Sequence, residues 1–257
     1  MKILVLGDVT DPKAISHLKD NLWRFRTENK IDFTVVNAEN ANFIYGSSAD
    51  QAEELLASGA DVLTGGNHTM QNKLIFPLLE ESERVIRPAN FPATAPGSGY
   101  TILDCNGYRI LVINALGKMH IEPILEPPIE AIERILRRED GNYDFSILDF
   151  HAEATGEKGI IGRYFDGRIN IIFGTHTHVP TADARILPNK SAFITDVGMC
   201  GAVDSILGID VASVVEKYLT GMPVRYMPAQ GKIEAQGVIF TLDESAGVVT
   251  DIRQIKF

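Results

Sequence analysis

The sequence predicts an α/β protein built on two sheets, and three features lead there. Apolar strand-like runs alternate with amphipathic stretches through the N-terminal half, as parallel strands joined by crossover helices require. The middle of the chain interrupts that alternation with Asn106-Gly107 between two apolar runs, the strongest short hairpin signal, so antiparallel pairing is mixed in. Five short polar blocks each follow directly on a predicted strand, an arrangement that resembles open sheets carrying a site at their carboxyl ends.

The elements follow in order. Lys2 to Leu6 is a continuous apolar strand with Asp8 just past its end. Asp11-Pro12 offers an N-cap followed by proline at the first helical position, and Ile15, Leu18, Leu22 and Phe25 recur at helical spacing, predicting a helix over residues 12–27. Phe33 to Val36 is a second strand leading into Asn37-Ala38-Glu39-Asn40. Ser48 with Gln51 makes a capping box, Ala52, Leu55 and Leu56 form the buried face of the helix that follows, and Gly59 ends it. Asp61 to Leu63 is a third strand running into Gly65-Gly66-Asn67-His68, with a helix after it through Leu78-Leu79.

Tyr100 to Asp104 and Tyr108 to Ile113 are the hairpin strands, and residues 117–128 form a loop rich in proline. The next helix carries Glu130 and Glu133 early and Arg137 and Arg138 late, matching its dipole. Phe145 to Leu148 and Ile169 to Phe173 are strands feeding two histidine blocks. After residue 190 come a strand, a helix capped by Asp210, and a closing hairpin near 235–242 and 247–256. No internal repeat or linker divides the chain, so residues 1–257 are expected to form a single domain.

Composition narrows the function. The 257 residues are 45% apolar, enough for a sizeable core, yet no apolar run reaches the length of a membrane span. Met1 to Leu6 is too short for a signal peptide, and Gly7-Asp8 interrupts it, so a cytoplasmic location and no membrane partner are expected. Cys105 and Cys200 lack metal-ligand spacing and read as reduced thiols. A formal charge of −10 argues against stable binding of polymeric nucleic acid, though two bound cations would reverse the field locally for a small anionic substrate.

Four of the six histidines fall in three of the polar blocks: Gly66-Asn67-His68, Phe150-His151-Ala152-Glu153 and Gly174-Thr175-His176-Thr177-His178. Gly7-Asp8 and Asn37-Ala38-Glu39-Asn40 add carboxylates and amides. Taken singly, Asp8 reads equally well as a turn or N-cap residue, and Glu39-Asn40 as loop polar groups. Together they supply the imidazole, carboxylate and amide donors that a pair of divalent metals requires. Gly65 and Gly66 let the backbone turn and approach closely before Asn67 and His68. His176 and His178 share one face if extended; at a turn they splay toward two different metals. His17 lies on a predicted helix with its polar surface, and His120 sits in the proline-rich loop.

The ordered blocks resemble the calcineurin-type metallophosphoesterase superfamily, and most closely its YmdB-like branch. That branch shows an Asp after the first strand and N-x-E-N, G-N-H-T, H-A-E-A-T and G-T-H-T-H-V blocks. Here they stand as Asp8, Asn37 to Asn40, Gly66 to Thr69, His151 to Thr155 and Gly174 to Val179. Arg87 to Pro92, Thr181-Ala182-Asp183 and Thr195 to Met199 match further, so the resemblance spans nearly the whole chain.

The resemblance implies a four-layer αββα sandwich, two mixed sheets flanked by helices, around a dinuclear centre of divalent or mixed-valence ions. Iron or manganese is the usual metal, and the ligand set also suits zinc. By the same resemblance Asp8, Asn40 and His178 hold one metal, Asn67, His151 and His176 the other, and Glu39 bridges. Two metals about 3.5–4 Å apart would generate hydroxide near neutral pH and clamp the phosphate oxygens, with His68 as the general acid for the leaving alkoxide.

The implied activity is a metal-dependent phosphodiesterase acting on a small phosphodiester, with 2′,3′-cyclic nucleotides as substrate class. Its alternatives are a phosphomonoesterase or nuclease of the same fold, and a metal-containing regulatory module that binds a phospho-ligand with little turnover. Around the site's rim the chain departs from the branch pattern, with Thr10-Asp11, Phe43 and Met70-Gln71 where glycine-rich stretches and Trp-Asp are usual. Phe43 and Tyr45 could stack on a base, with core packing the simpler reading for both. Whether the short loop expected near Cys200-Gly201 closes over the site stays open, as does the oligomeric state, a homo-oligomer being compatible.

Overall fold

The computed structural model describes residues 1–257. In chain order the elements are β1 (Lys2–Leu6), β2 (Asp8–Val9), α1 (Pro12–Asn29), β3 (Phe33–Asn37), α2 (Ala49–Ala57), β4 (Val62–Thr64), α3 (Phe76–Glu81), β5 (Tyr100–Cys105), β6 (Tyr108–Leu116) and α4 (Pro128–Arg138). There follow β7 (Phe145–His151), α5 (Thr155–Tyr164), β8 (Ile171–Thr175), β9 (Arg185–Ile186), β10 (Ala192–Ile194), β11 (Met199–Ala202), α6 (Val211–Thr220), β12 (Ile233–Asp243) and β13 (Val248–Lys256).

Two mixed sheets result. The first has seven strands in the order β2-β11-β12-β1-β3-β4, with β13 added beside β12. The second has six in the order β5-β6-β7-β8-β10-β9. β1, β3 and β4 run parallel, as do β6, β7, β8 and β10. Alternation along each parallel strand then decides the layers, because successive side chains face opposite ways. Ile3, Val5 and Val35 point inward to meet Val112, Ile147 and Phe173 between the sheets. Leu4, Leu6 and Val36 point outward and bury Ile15, Leu18 and Leu22 of α1 and Leu55 of α2. On the far side, Leu111, Leu148 and Ile172 bury Ile132 and Ile135 of α4 and Ile161 of α5. The architecture is therefore α–β–β–α, as the motif resemblance implies.

Local chemistry explains most boundaries. Asp11 caps α1 by accepting from the backbone N–H groups of Lys13 and Ala14, with Pro12 in the first turn. The Ser48–Gln51 capping box closes reciprocally, while α2 stops at Ala57, short of Gly59. Asn106 (φ 57°) and Gly107 (φ 86°) take the left-handed conformations that a two-residue hairpin turn needs.

Three expectations change, and one helix appears that the sequence does not announce. The helix expected after His68 is broken into 3₁₀ turns at Thr69–Gln71 and Lys73–Ile75 before α3, because Asn72 is extended and its side chain caps Leu74. α5 has no sequence signal, since Gly156, Gly159 and Gly162 lower its helix propensity and no side chain caps it. Cys200-Gly201 is not a loop but part of β11, paired with β12 and β2. His17 is half-buried rather than simply on the polar surface: its Nε2 lies 3.1 Å from the Phe257 carbonyl, and its ring stacks on that of Phe257. Both cysteines are free and buried, and no helix is long and apolar enough to cross a membrane.

Candidate metal centre

The parallel strands of both sheets end at one edge of the sandwich, and their exits form the site. The first sheet delivers only carboxylates and amides, plus His68: Asp8 after β1, Glu39 and Asn40 after β3, Asn67 after β4. The second delivers imidazoles, His151 at the end of β7 and His176 and His178 just past β8.

These residues meet in one cluster. Asp8 Oδ1 lies 3.7 Å from His178 Nε2 and 3.8 Å from His151 Nδ1. Asn40 Nδ2 is 3.3 Å from His178 Nε2 and donates to Glu39 Oε1 at 2.8 Å. Glu39 Oε1 is 3.2 Å from His151 Nε2, which also faces Asn67 Oδ1 at 3.0 Å and His176 Nδ1 at 3.1 Å. Asn40 and His178 thus meet beside Asp8, while Asn67 and His176 meet at His151, and Asp8 and Glu39 each reach His151 as well. Glu39, His151 and His176 alone bring ligand atoms within 4.8 Å of one another, a group that could hold a metal ion.

Of the two readings of His176 and His178, the turn is the one observed. His176 (φ 100°) and His178 (φ 62°) both leave the extended region, and their rings meet different partners, His151 and Asn40 respectively. Thr177 between them is tied down: its N–H and hydroxyl both donate to Asp196 Oδ2, which also accepts from Lys158 Nζ at 2.8 Å. That ion pair is almost fully buried, and Asp196 gains a third kind of donor from the Gly198 N–H. The buried charge is therefore both paired and hydrogen-bonded, as burial demands. Gly66 is required by close approach, since a Cβ there would lie 2.5 Å from His151 Nε2 and 2.6 Å from Glu39 Oε2.

Each imidazole is oriented by a partner behind it, which the sequence alone did not single out. His178 Nδ1 donates to the Leu207 carbonyl at 3.0 Å, leaving Nε2 bare toward Asp8. His176 Nε2 meets Glu153 Oε2 at 3.1 Å, leaving Nδ1 toward His151. For His151 the support is a relay: the Thr175 hydroxyl donates to Asp149 Oδ1 at 2.7 Å and receives His151 Nδ1–H at 2.9 Å. Asp149 also accepts from Asn37 at 2.9 Å and Thr64 at 2.5 Å. Such partners fix the tautomer that presents the free nitrogen to a metal. The available signal was the lone Asp149 inside an apolar strand, one pleat period before His151.

Electrostatics mark the same place. Burial opposes charge on Glu39, yet His151 and His68 outweigh it and bring its carboxyl down to about 2. Burial likewise opposes charge on His151, but Glu39, Asp8 and Asp149 hold it up at about 9. His176, desolvated and beside His151, is pushed down to about 3. Asp8 is raised by burial, and burial also lifts Asp149 to about 6.

His68 donates its backbone N–H to Glu39 Oε2 at 2.9 Å, while its Nδ1 is buried without a partner. Gly46 packs against the His68 carbonyl, where a Cβ would come within 2.8 Å. That contact places the Phe43–Tyr45 loop beside His68. Tyr45 is 59% exposed and Phe43 half-buried, so core packing fails for Tyr45. Thr10 and Asp11, expected at the rim, are instead buried, Thr10 against Gly201 and Gly208 and Asp11 as the α1 cap. Gln71 is exposed and Met70 half-buried on the α1–α2 core.

A family model described as YmdB-like protein matches residues 4–255. The chain belongs to the YmdB-like family. It is 40% identical to a Bacillus subtilis (strain 168) protein named 2′,3′-cyclic-nucleotide 2′-phosphodiesterase, over 99% of this chain and 96% of that one. The crystal structure of a hypothetical protein from Thermus thermophilus superposes with a TM-score of 0.92 at 34% identity, covering 100% of this chain and 99% of that one. The 5′-nucleotidase precursor of the same organism shares the fold, with a TM-score of 0.60 at 10% identity over all of this chain and 54% of its own. This YmdB-like chain is a hydrolytic enzyme of the metallophosphoesterase type.

Proposed function

We propose that the chain is a metal-dependent phosphodiesterase that opens a small cyclic phosphodiester, with 2′,3′-cyclic nucleotides as its substrate class. One observation carries the reading: buried polar atoms that no protein group satisfies converge on the cluster. Asp8 Oδ1 and Asn40 Oδ1 have no hydrogen-bond partner, and His151 Nε2 and His176 Nδ1 face each other at 3.1 Å. Buried orphans of this kind are costly unless something absent from the polypeptide binds them. Oxygen and imidazole donors without thiolate fit iron, manganese or zinc, with iron and manganese preferred on the family resemblance.

Asp8, Asn40 and His178 would hold one ion and Asn67, His151 and His176 a second, with Glu39 shared. Bound there, two such ions would supply Lewis acidity and a nucleophile active near neutral pH. The protein's own groups do the rest. Leu207, Glu153 and the Thr175–Asp149 pair keep the three imidazoles turned toward the cluster. His68 gives a proton from its ring to the departing alkoxide as water's oxygen joins phosphorus and the ring P–O bond breaks. The similarity to the Bacillus subtilis phosphodiesterase supports the substrate class.

The test couples metal content to turnover of a 2′,3′-cyclic nucleotide. About two metals per chain are expected, lost in Asp8→Ala and His151→Ala, with His68→Ala retaining metal and losing roughly 10²- to 10⁴-fold in rate. Metal retained with no turnover by the unmodified protein would sink the phosphodiesterase reading in favour of a phospho-ligand-binding module. Turnover confined to phosphomonoesters would redirect the substrate class.

A further inference from the structure

Lys158 is an odd charge to find inside the fold. It is 1% exposed, and its partner Asp196 is wholly buried. An ion pair taken out of water generally stabilises no more than apolar residues of the same volume would, so stability does not account for it. The fold nonetheless leaves room for the lysine: its stem crosses Gly174 of β8, where a Cβ would lie 2.9 Å from Lys158 Cδ. What the pair grips is one residue of the turn that carries two candidate ligands. Asp196 Oδ2 accepts from the Thr177 N–H at 3.1 Å and from the Thr177 hydroxyl at 2.8 Å, while Lys158 Nζ donates to the same oxygen at 2.8 Å. The only other side chain that holds the backbone of this turn is Asp8, whose Oδ2 accepts from the His176 N–H at 3.1 Å.

Thr177 sits between two residues of positive φ, His176 at 100° and His178 at 62°. Neither is glycine, and such backbone conformations persist only where the surroundings enforce them. The relaxed alternative is extended chain, in which residues two apart face the same way, so both imidazoles would turn to one side. We propose that Lys158 is a positioning residue: through Asp196 it clamps Thr177 and so keeps His176 and His178 divided between two ions instead of crowded toward one. The inference rests on the dinuclear reading given above. The lysine's charge is what the clamp needs. Without it Asp196 is a buried, unpaired carboxylate, which takes up a proton or turns away, and Thr177 loses its acceptor. Glu153 and the Leu207 carbonyl would then be orienting two rings whose backbone is no longer fixed.

Manganese(II) titrated into the full-length protein, stripped of metal beforehand, is expected to bind at about two ions per chain and to give the paramagnetic resonance spectrum of a spin-coupled pair. Lys158→Met keeps the stem and removes the charge. One ion is then expected to bind about 10- to 100-fold more weakly, with the other unaffected and the spectrum that of an isolated ion. Should Lys158→Met fail to fold, Thr177 decides: Thr177→Val, which lacks the hydroxyl, is expected to weaken one ion in the same way, and Thr177→Ser to restore it. Two ions bound and coupled as before in Lys158→Met would overturn the clamp and leave the metal centre standing. Equal weakening of both ions would also overturn it, since that is the mark of general loosening, as would equal loss in the valine and serine variants. An unmodified protein that binds no manganese would overturn the clamp and the metal centre together.

Discussion

Thr175 shows how much of the site rests on residues that touch no substrate. Its one hydroxyl proton goes to Asp149, so toward His151 it can only accept. A neutral His151 must then carry its proton on Nδ1 and keep Nε2 free. Thr175→Val removes the acceptor, and metal affinity is expected to fall about 10- to 100-fold in a metal-competition titration. Thr175→Ser keeps the hydroxyl and should restore most of it; equal loss in both variants would refute the tautomer argument and leave only packing. The same nitrogen gives the site a pH dependence of fixed sign. In the metal-free protein His151 is protonated up to about pH 9, so a cation entering near pH 7 has to displace that proton. Affinity should therefore rise with pH up to about 9, with proton release detectable by calorimetry in buffers of different ionisation heat. Affinity independent of pH over that range would contradict it.

At the scale of elements, the sequence was legible wherever local chemistry agreed with tertiary need. The Asp11 cap, the Ser48–Gln51 box and the Asn106-Gly107 turn each carry their own hydrogen bond or backbone preference, and each forms where the residues predict. α5 was illegible because its glycines answer to packing instead of propensity. A Cβ on Gly162 would lie 2.5 Å from the ring of Phe193 in β10. Gly162→Ala therefore sets two effects against each other: helix propensity gains about 1 kcal/mol, and overpacking of a buried ring costs roughly 1–3 kcal/mol. Packing should win, and denaturant unfolding should show the variant to be less stable than the unmodified protein. A more stable variant would mean that Phe193 gives way freely. The break at Asn72 was equally hidden, since its extended backbone is visible only in three dimensions.

For the whole molecule, the candidate site was readable because its donors sit in short blocks at strand ends, in an order the chain cannot easily disguise. Their supports were not readable: Asp149 is one carboxylate in an apolar strand, Lys158 lies on an unsignalled helix, and Leu207 contributes only a carbonyl. Each acquires its role from a partner distant in sequence. The division of donors between the sheets has a consequence for assembly. Carboxylates and amides come from one sheet and the three candidate imidazole ligands from the other, so any ion held between them fastens the two halves as a rivet does two plates. Acid loosens that rivet from both sides, because the carboxylates of Asp8 and Glu39 titrate as the imidazoles do, and only the amide oxygens of Asn40 and Asn67 are indifferent to it. Falling pH should thus weaken both sheets' grip and release any ion held between them.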